Sequence, residues 1–189
     1  DGEEVEATVG SAVSYRKNNR RPYTDLGNAE RFREAWQTRV YFVKEHRTWT
    51  YFDGQRWVLD DAAAARMAHE TVRGIVREAA GGDPDDLQQA IRWQKTSEAN
   101  ARIRSLLDIA SQLEGLSISQ EAFDTHSHLI NFTNGTIDLR GGRFRQARAS
   151  DLITRMAGCE WEQNATAPRF VQFISEVVGG DENDAHYLK

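Results

Sequence analysis

The sequence has little cysteine, little proline and no long apolar run. Its one cysteine, Cys159, cannot form a disulfide within the chain, so an extracellular disulfide scaffold is excluded and a reducing compartment is favoured. No apolar stretch approaches the roughly 18 residues of a membrane-spanning helix. The acidic start Asp1–Glu4 is also unlike the basic leader of a signal peptide. We therefore expect a cytoplasmic protein that has no membrane partner.

Common catalytic signatures are also missing. There is no Gly-Lys dipeptide, and hence no P-loop, and there is no G-x-S-x-G elbow, H-E-x-x-H motif or C-x-x-C pair. His126 and His128 are close in sequence, but a zinc site needs three or four ligands and no other residue has suitable spacing. We therefore expect this chain to contain no catalytic residue, no metal site and no cofactor.

Asp83 and Asp85 form a D-x-D pattern that a nuclease or primase can use to hold two divalent cations. A helix start explains the same residues better, because Gly81-Gly82 can end one helix, Asp83 can cap the next and Pro84 suits its first position. We therefore predict a capped helix here, with a metal-dependent enzyme as the alternative.

Length and charge set the broad class of protein. The chain has 189 residues, of which 39% are apolar, and its 24 basic and 29 acidic side chains give a net charge of −5. A chain of this length buries roughly 70% of its unfolded surface, so it can fold as a globular domain without disulfides. Its mild acidity argues against coating nucleic acid through bulk charge and leaves room for a local basic patch.

Helical signals predict a small antiparallel bundle. Thr24-Asp25 marks a first helix start, and a second helix is predicted from Asp60 or Asp61 to about Ala80. Ser97 or a neighbouring residue is predicted to start a later helix. Its apolar stripe recurs every three to four residues, at Ile103, Leu106, Leu107, Ala110 and Leu113.

Two further segments carry strand and turn signals. The first predicted antiparallel meander consists of Val40–Val43, Thr48–Phe52 and Arg56–Leu59, with a turn at Asp53-Gly54. The second consists of Leu129–Phe132, Thr136–Leu139 and Arg143–Gln146, with turns at Asn134-Gly135 and Gly141-Gly142. The predicted fold class is α+β, a small helical bundle with two short antiparallel β-meanders. We place this domain at residues 23–160, after a linker or tail at residues 1–22.

The first meander is rich in aromatic residues, which have two interpretations. Trp49, Tyr51 and Trp57 can form a platform for unstacked bases. They can also pack the meander onto the preceding helix. We favour packing, because no basic stripe flanks these residues.

The second meander is locally basic on an acidic chain. Between Leu129 and Arg155 there are five arginines and two acidic residues. Arginines on a hairpin can meet a phosphate backbone. The candidate DNA-binding residues are Arg140, Arg143, Arg145 and Arg148, and plain surface charge explains the same residues equally well.

Several short motifs follow one another in a characteristic order. The first is Thr24–Phe32, which includes Asp25 and Asn28. The later ones are Phe123-Asp124, Leu129–Leu139 with Asn134, Gly135 and Asp138, Asp151–Arg155, and Ala165–Phe173 with Pro168. Together they resemble the accessory domain that precedes the superfamily 3 helicase in phage, plasmid and poxvirus primase–helicases. The resemblance covers about Thr24 to Lys189 and departs from the family pattern at Met156–Trp161.

The resemblance implies a non-catalytic fragment of an ATP-dependent DNA helicase that can also carry a primase–polymerase domain. Residues 161–189 would form a helical connector to a missing C-terminal ATPase, where ATP and Mg²⁺ bind. The implied partners are single-stranded or forked DNA and further copies of the chain in a hexamer, in the host cytoplasm if a phage or prophage encodes it. The alternative is a pure oligomerisation or protein-docking module that does not contact DNA.

Overall fold

The computed structural model describes residues 21–177, so the first 20 residues of the predicted tail and residues 178–189 of the predicted helical connector lie outside it. The helices are α1 Asp25–Trp36, α2 Asp61–Arg73, α3 Ile75–Ala79, α4 Pro84–Ser97, α5 Asn100–Ala110 and α6 Pro168–Val177. The strands are β1 Val40–Val43, β2 Thr48–Phe52, β3 Trp57–Leu59, β4 Ser117–Ile118, β5 Leu129–Phe132, β6 Gly135–Asp138 and β7 Arg143–Arg145. Short 3₁₀ turns cover Gln120–Ala122 and Ala149–Asp151.

Helix α1 begins where the sequence predicts, because the Thr24 hydroxyl accepts the N–H of Gly27 at 3.0 Å. This helix packs against α2 and α5, and α2 also packs against β2. The core of the bundle contains the buried apolar side chains Ala29, Phe32, Ala68, Val72, Leu106 and Ala110. The predicted helical bundle is therefore confirmed.

The predicted helix from Asp60 to Ala80 is wrong in one respect, since Gly74 divides it into α2 and α3. Glycine is a poor helix former, and the first N–H groups of a new helix need partners outside that helix. The N–H of Val76 finds one in Oε1 of Gln94 on α4, at 3.2 Å. A distant side chain thus stabilises the break.

The two later helix starts are only partly as predicted. Asp83 caps α4, with its Oδ1 accepting the N–H of Asp85 at 2.9 Å and Pro84 at the first helical position. Helix α5 begins at Asn100, near the predicted start at Ser97, but Ser97 itself is the fully buried last residue of α4. Its hydroxyl bonds to another helix instead of capping α5.

The first sheet has the strand order β3-β2-β1-β4. Strands β1 to β3 form the predicted antiparallel meander, with Tyr51 paired to Val40 on one side and to Val58 on the other. Strand β4 is an unpredicted addition that runs parallel to β1. Trp49 is buried and its ring meets Phe32 of α1 edge-on at 5.6 Å, so the packing interpretation of this tryptophan is confirmed.

The second sheet has the order β5-β6-β7 and confirms the second predicted meander. Residues directly opposite one another share a face of the sheet. One face carries Ile130, Ile137 and Phe144, and the other carries Asn131, Thr136 and Arg145. Asn131 and Thr136 are buried, and Nδ2 of Asn131 donates to the carbonyl oxygen of Gln55, just before β3. The polar face therefore packs toward the first sheet.

Candidate nucleic-acid interface

The second sheet and the segment that follows it are fixed to the first sheet through the start of β3. The backbone N–H of Trp57 donates to the carbonyl oxygen of Ile153, and its Nε1–H donates to that of Ala149, both at 2.8 Å. Nδ2 of Asn131 donates to the carbonyl oxygen of Gln55 at 2.9 Å. Trp57 is 2% exposed, so its bonds are shielded from water and hold the two sheets in one orientation.

The Asn134-Gly135 motif shapes the turn between β5 and β6. Nδ2 of Asn134 donates to the carbonyl oxygen of Trp161 at 3.1 Å, and its Oδ1 accepts the Trp161 N–H at 2.9 Å. A Cβ atom on Gly135 would lie 2.4 Å from the carbonyl oxygen of Arg145 and 2.7 Å from Cζ of Phe144. Glycine is therefore required for the close approach of β7.

Two of the four candidate arginines are ion-paired. Arg145 donates through both terminal nitrogens to the two carboxylate oxygens of Asp151, at 2.7 and 2.8 Å, and this hydrogen-bonded pair raises the pKa of Arg145. Nη2 of Arg140 lies 3.1 Å from Oδ2 of Asp138. The hydrogen bonds from Arg140 lower the pKa of Asp138, and the same pair raises the pKa of Arg140. Both acidic residues of this segment are therefore already neutralised.

The remaining arginines face solvent. Arg143 and Arg148 are exposed, and neither has an ion-pair partner within residues 21–177. Arg155, which is not in the predicted set, has a side chain that is 90% exposed, and its Nε lies 3.8 Å from Oδ2 of Asp124. That distance is too long for a hydrogen bond. Arg143 and Arg148 are thus free to bind an anion such as phosphate, whereas Arg155 has a loose ion pair with Asp124.

The sequence analysis did not identify an exposed aromatic ring, that of Phe144, among these arginines. Phe144 lies between Arg143 and Arg145 in β7 and is 41% exposed. The alternative platform in the first meander is not available, because Trp49 and Trp57 are both buried. The Arg-Phe-Arg alternation in the outermost strand of a short meander is the signal that identifies the ring.

Asp25 and Asn28 act inside the helical bundle. Oδ2 of Asp25 accepts hydrogen bonds from Nη1 of Arg102 at 2.8 Å and from the Ser105 hydroxyl at 3.2 Å. Oδ1 of Asn28 accepts the Nε1–H of Trp93 at 3.1 Å. These bonds tie α1 to α4 and α5, so the first motif has a structural role.

The residues considered as metal ligands do not form a cluster. In the part of the chain that the structure describes, no group of three or more His, Cys, Asp or Glu residues is placed to hold a metal ion. The rings of His126 and His128 lie 5.6 Å apart, and Asp83 is engaged as a helix cap. The alternative of a metal-dependent enzyme therefore has no supporting site between residues 21 and 177.

Helix α6 begins at Pro168, inside the predicted helical connector, and carries an exposed apolar face. Phe170, Phe173 and Val177 recur at spacings of three and four residues and are each more than half exposed, whereas Ile174 is buried. Apolar surface of this kind is typical of interaction sites.

Among the described helices, none combines the length and the apolar content needed to cross a bilayer.

Comparison with known proteins adds one finding. Residues 29–179 match the family model described as D5 N terminal like. The matched range includes both sheets and most of the helical bundle. No curated protein matches the chain.

Proposed function

We propose, because this chain belongs to the D5 N terminal like family, that it is a non-catalytic, DNA-contacting module of a replicative primase–helicase. The family is the N-terminal domain of D5-like primase–helicase proteins. The module would act by packing and electrostatics, with no bond-making step of its own.

The pairing pattern of the arginines around the second sheet is the observation that carries this proposal. The two acidic residues of the segment are paired with Arg140 and Arg145. Arg143 and Arg148 therefore keep exposed guanidinium groups without a partner in residues 21–177. Such groups neutralise phosphates and release counterions, which makes DNA affinity fall as salt rises. Arg145 supports this surface indirectly, by fixing Asp151 beside β7.

The proposal extends to the context of the module. Residues 161–189 would connect it to a ring-forming superfamily 3 ATPase that binds ATP and Mg²⁺, in a phage or prophage protein that acts in the host cytoplasm. The module would help this ring to assemble as a hexamer and would guide single-stranded or forked DNA. The family membership supports the primase–helicase setting, and the exposed arginines support the contact with DNA.

The test compares DNA binding by the wild-type chain and by the variant Arg143→Glu/Arg148→Glu at low salt, measured by fluorescence anisotropy. The matched control is Arg92→Glu/Arg104→Glu, which makes the same change in net charge at exposed positions of α4 and α5. We expect binding to be lost in the first variant and kept in the control. Equal weakening of both variants, or no binding by the wild type, would contradict the proposal.

A second candidate function is oligomerisation without DNA contact, and the exposed apolar face of α6 favours it. Light scattering over a concentration series tests this candidate with Phe170→Glu/Phe173→Glu, and Ser175→Glu on the same helix is the control. Oligomerisation predicts that the mass rises with concentration in the wild type and the control but not in the double variant. This result, together with no DNA binding by the wild type, would favour oligomerisation over DNA contact.

A further inference from the structure

Phe144 is supported on one side and open on the other. It lies in β7, the outermost strand of the second sheet, and 41% of it is exposed. Its Cζ and Cε2 atoms lie 2.7 and 3.1 Å from the position of a Cβ on Gly135, so the ring rests on the bare backbone of that glycine. The directly opposite residue, Ile137, is 3% exposed. The ring is therefore an aromatic surface held in place by its own sheet.

The apolar face around Phe144 continues across the sheet. Ile130 is paired with Ile137 and is 40% exposed, and Phe132 lies two residues further along β5 on the same face. The rings of Phe132 and Trp161 are in contact, with centroids 5.5 Å apart. An apolar and aromatic face thus spans the three strands of the second sheet. Exposed arginines, Arg143 and Arg148, lie in β7 and just after it.

Arg143 alternates with Phe144 along β7 and therefore leaves the strand on the opposite face, but β7 is the outermost strand of the sheet. We propose that the apolar face binds single-stranded DNA, with a base stacked on Phe144 and the adjoining phosphates held at the exposed edge of β7 by Arg143 and Arg148. This inference rests on the proposed function and narrows it to one class of substrate. The bases of a single strand have open π-faces, and proteins that bind single strands without sequence preference combine aromatic side chains with a positive groove. In a duplex those π-faces are covered by neighbouring bases, so Phe144 adds nothing to duplex binding.

The charge around the face favours a nucleic acid over a second copy of the chain. A symmetric contact between two copies places the same surface patch against itself. A contact that included the exposed edge of β7 would therefore bring Arg143 and Arg148 close to the arginines of the other copy. Like charges at short distance repel. The two acidic residues between Leu129 and Arg155 cannot offset this repulsion, because both are already paired. A polyanion is therefore the complementary partner.

The test uses the 189-residue chain and three variants, Phe144→Ala, Phe144→Leu and Phe144→Trp. Anisotropy at one low salt concentration measures their affinity for an oligothymidylate of about 15 nucleotides and for a duplex of the same length. We expect the Ala and Leu variants to bind the single strand about 5- to 100-fold more weakly. The Trp variant should keep wild-type affinity, and duplex binding should change little in all three.

The Leu variant distinguishes loss of base stacking from loss of folding, because leucine keeps an apolar side chain beside Gly135 but has no aromatic ring. Urea unfolding midpoints check that each variant is folded. Unchanged single-strand affinity in the Ala and Leu variants, with loss in Arg143→Glu/Arg148→Glu, would overturn the inference and leave the proposed function intact. Equal losses for single strand and duplex would also overturn it. No DNA binding by the wild type would overturn both. A lower mass of Phe144→Ala in light scattering, with unchanged DNA affinity, would identify a second copy as the occupant instead.

Discussion

The indole Nε1–H of Trp57 donates a 2.8 Å hydrogen bond to the carbonyl oxygen of Ala149, a residue 92 positions further along the chain. The same indole stacks on Tyr41 with ring centroids 4.9 Å apart. One buried side chain thus connects the first sheet to the segment that follows the arginine-bearing hairpin. The orientation of the candidate DNA surface depends on this connection.

Trp57→Phe should destabilise the protein more than Trp49→Phe does. Both substitutions shrink a buried ring, but of these two indoles only that of Trp57 donates a hydrogen bond to a residue within 21–177. Loss of that bond leaves the carbonyl oxygen of Ala149 with only the Leu152 N–H, at 3.2 Å, and the lost hydrogen bond should cost about 0.5–1.5 kcal/mol. Urea unfolding of the two variants measures the difference, and equal stabilities would contradict this role of Trp57.

Asn28→Ala should cost about 1–3 kcal/mol of unfolding free energy, because it leaves two groups without partners. The Asn28 side chain donates to the Ser97 hydroxyl and accepts from the Trp93 indole, both at 3.1 Å. A double-mutant cycle with Ser97→Ala should show a coupling energy of about 0.5–3 kcal/mol. Strict additivity in equilibrium unfolding would show that the bond between Asn28 and Ser97 contributes nothing.

Gly135→Ala should destabilise the protein by about 1–3 kcal/mol, since the new methyl group would overlap the backbone of β7 and the ring of Phe144. Gly141→Ala is the matched control. Nothing lies within 4 Å of a Cβ atom at Gly141, so that change should stay within about 0.5 kcal/mol. Thermal unfolding of the pair measures both effects, and similar stabilities would show that β7 does not pack closely on Gly135.

Acid should weaken the contact between Glu45 and the Ser119-Gln120 turn. The pKa of Glu45 is lowered by its own backbone N–H, by the Ser119 hydroxyl at 2.8 Å and by the Gln120 N–H at 3.1 Å. A carboxyl whose pKa is lower in the folded state contributes stability above its unfolded pKa, and this is lost as pH falls through the folded value. Glu45→Gln should therefore lose less stability than the wild type between about pH 5 and about pH 3. Urea unfolding at a series of pH values measures this. If the unfolding free energies of the wild type and of Glu45→Gln fell equally with pH, the prediction would be contradicted.

The meanders could be predicted because their signals are local. Asp53-Gly54 and Asn134-Gly135 mark turns within a few residues of the strands that they join. Strand β4 could not be predicted in this way, because Ser117–Ile118 becomes a strand only by pairing with β1. The break at Gly74 also depends on a distant residue, Gln94, which receives the N–H of Val76.

The candidate site could be predicted only as a charged region. Counting arginines locates the basic segment, but it cannot show that Asp151 pairs with Arg145 while Arg143 stays free. The exposure of Phe144 depends on which sheet face packs inward. The alternation of residues along the strands is compatible with either face of the second sheet packing inward. The inward face is set by contacts with a distant part of the chain, around the buried Asn131 and Trp57.

The salt dependence of DNA affinity tests most directly the claim that Arg143 and Arg148 bind phosphate. Affinity for a single strand is measured across a series of salt concentrations, for the wild type and for Arg143→Glu/Arg148→Glu. The slope of log K against log salt should become shallower by about 0.7 for each lost phosphate contact, or about 1.4 in total. Identical slopes for the two proteins would contradict the account.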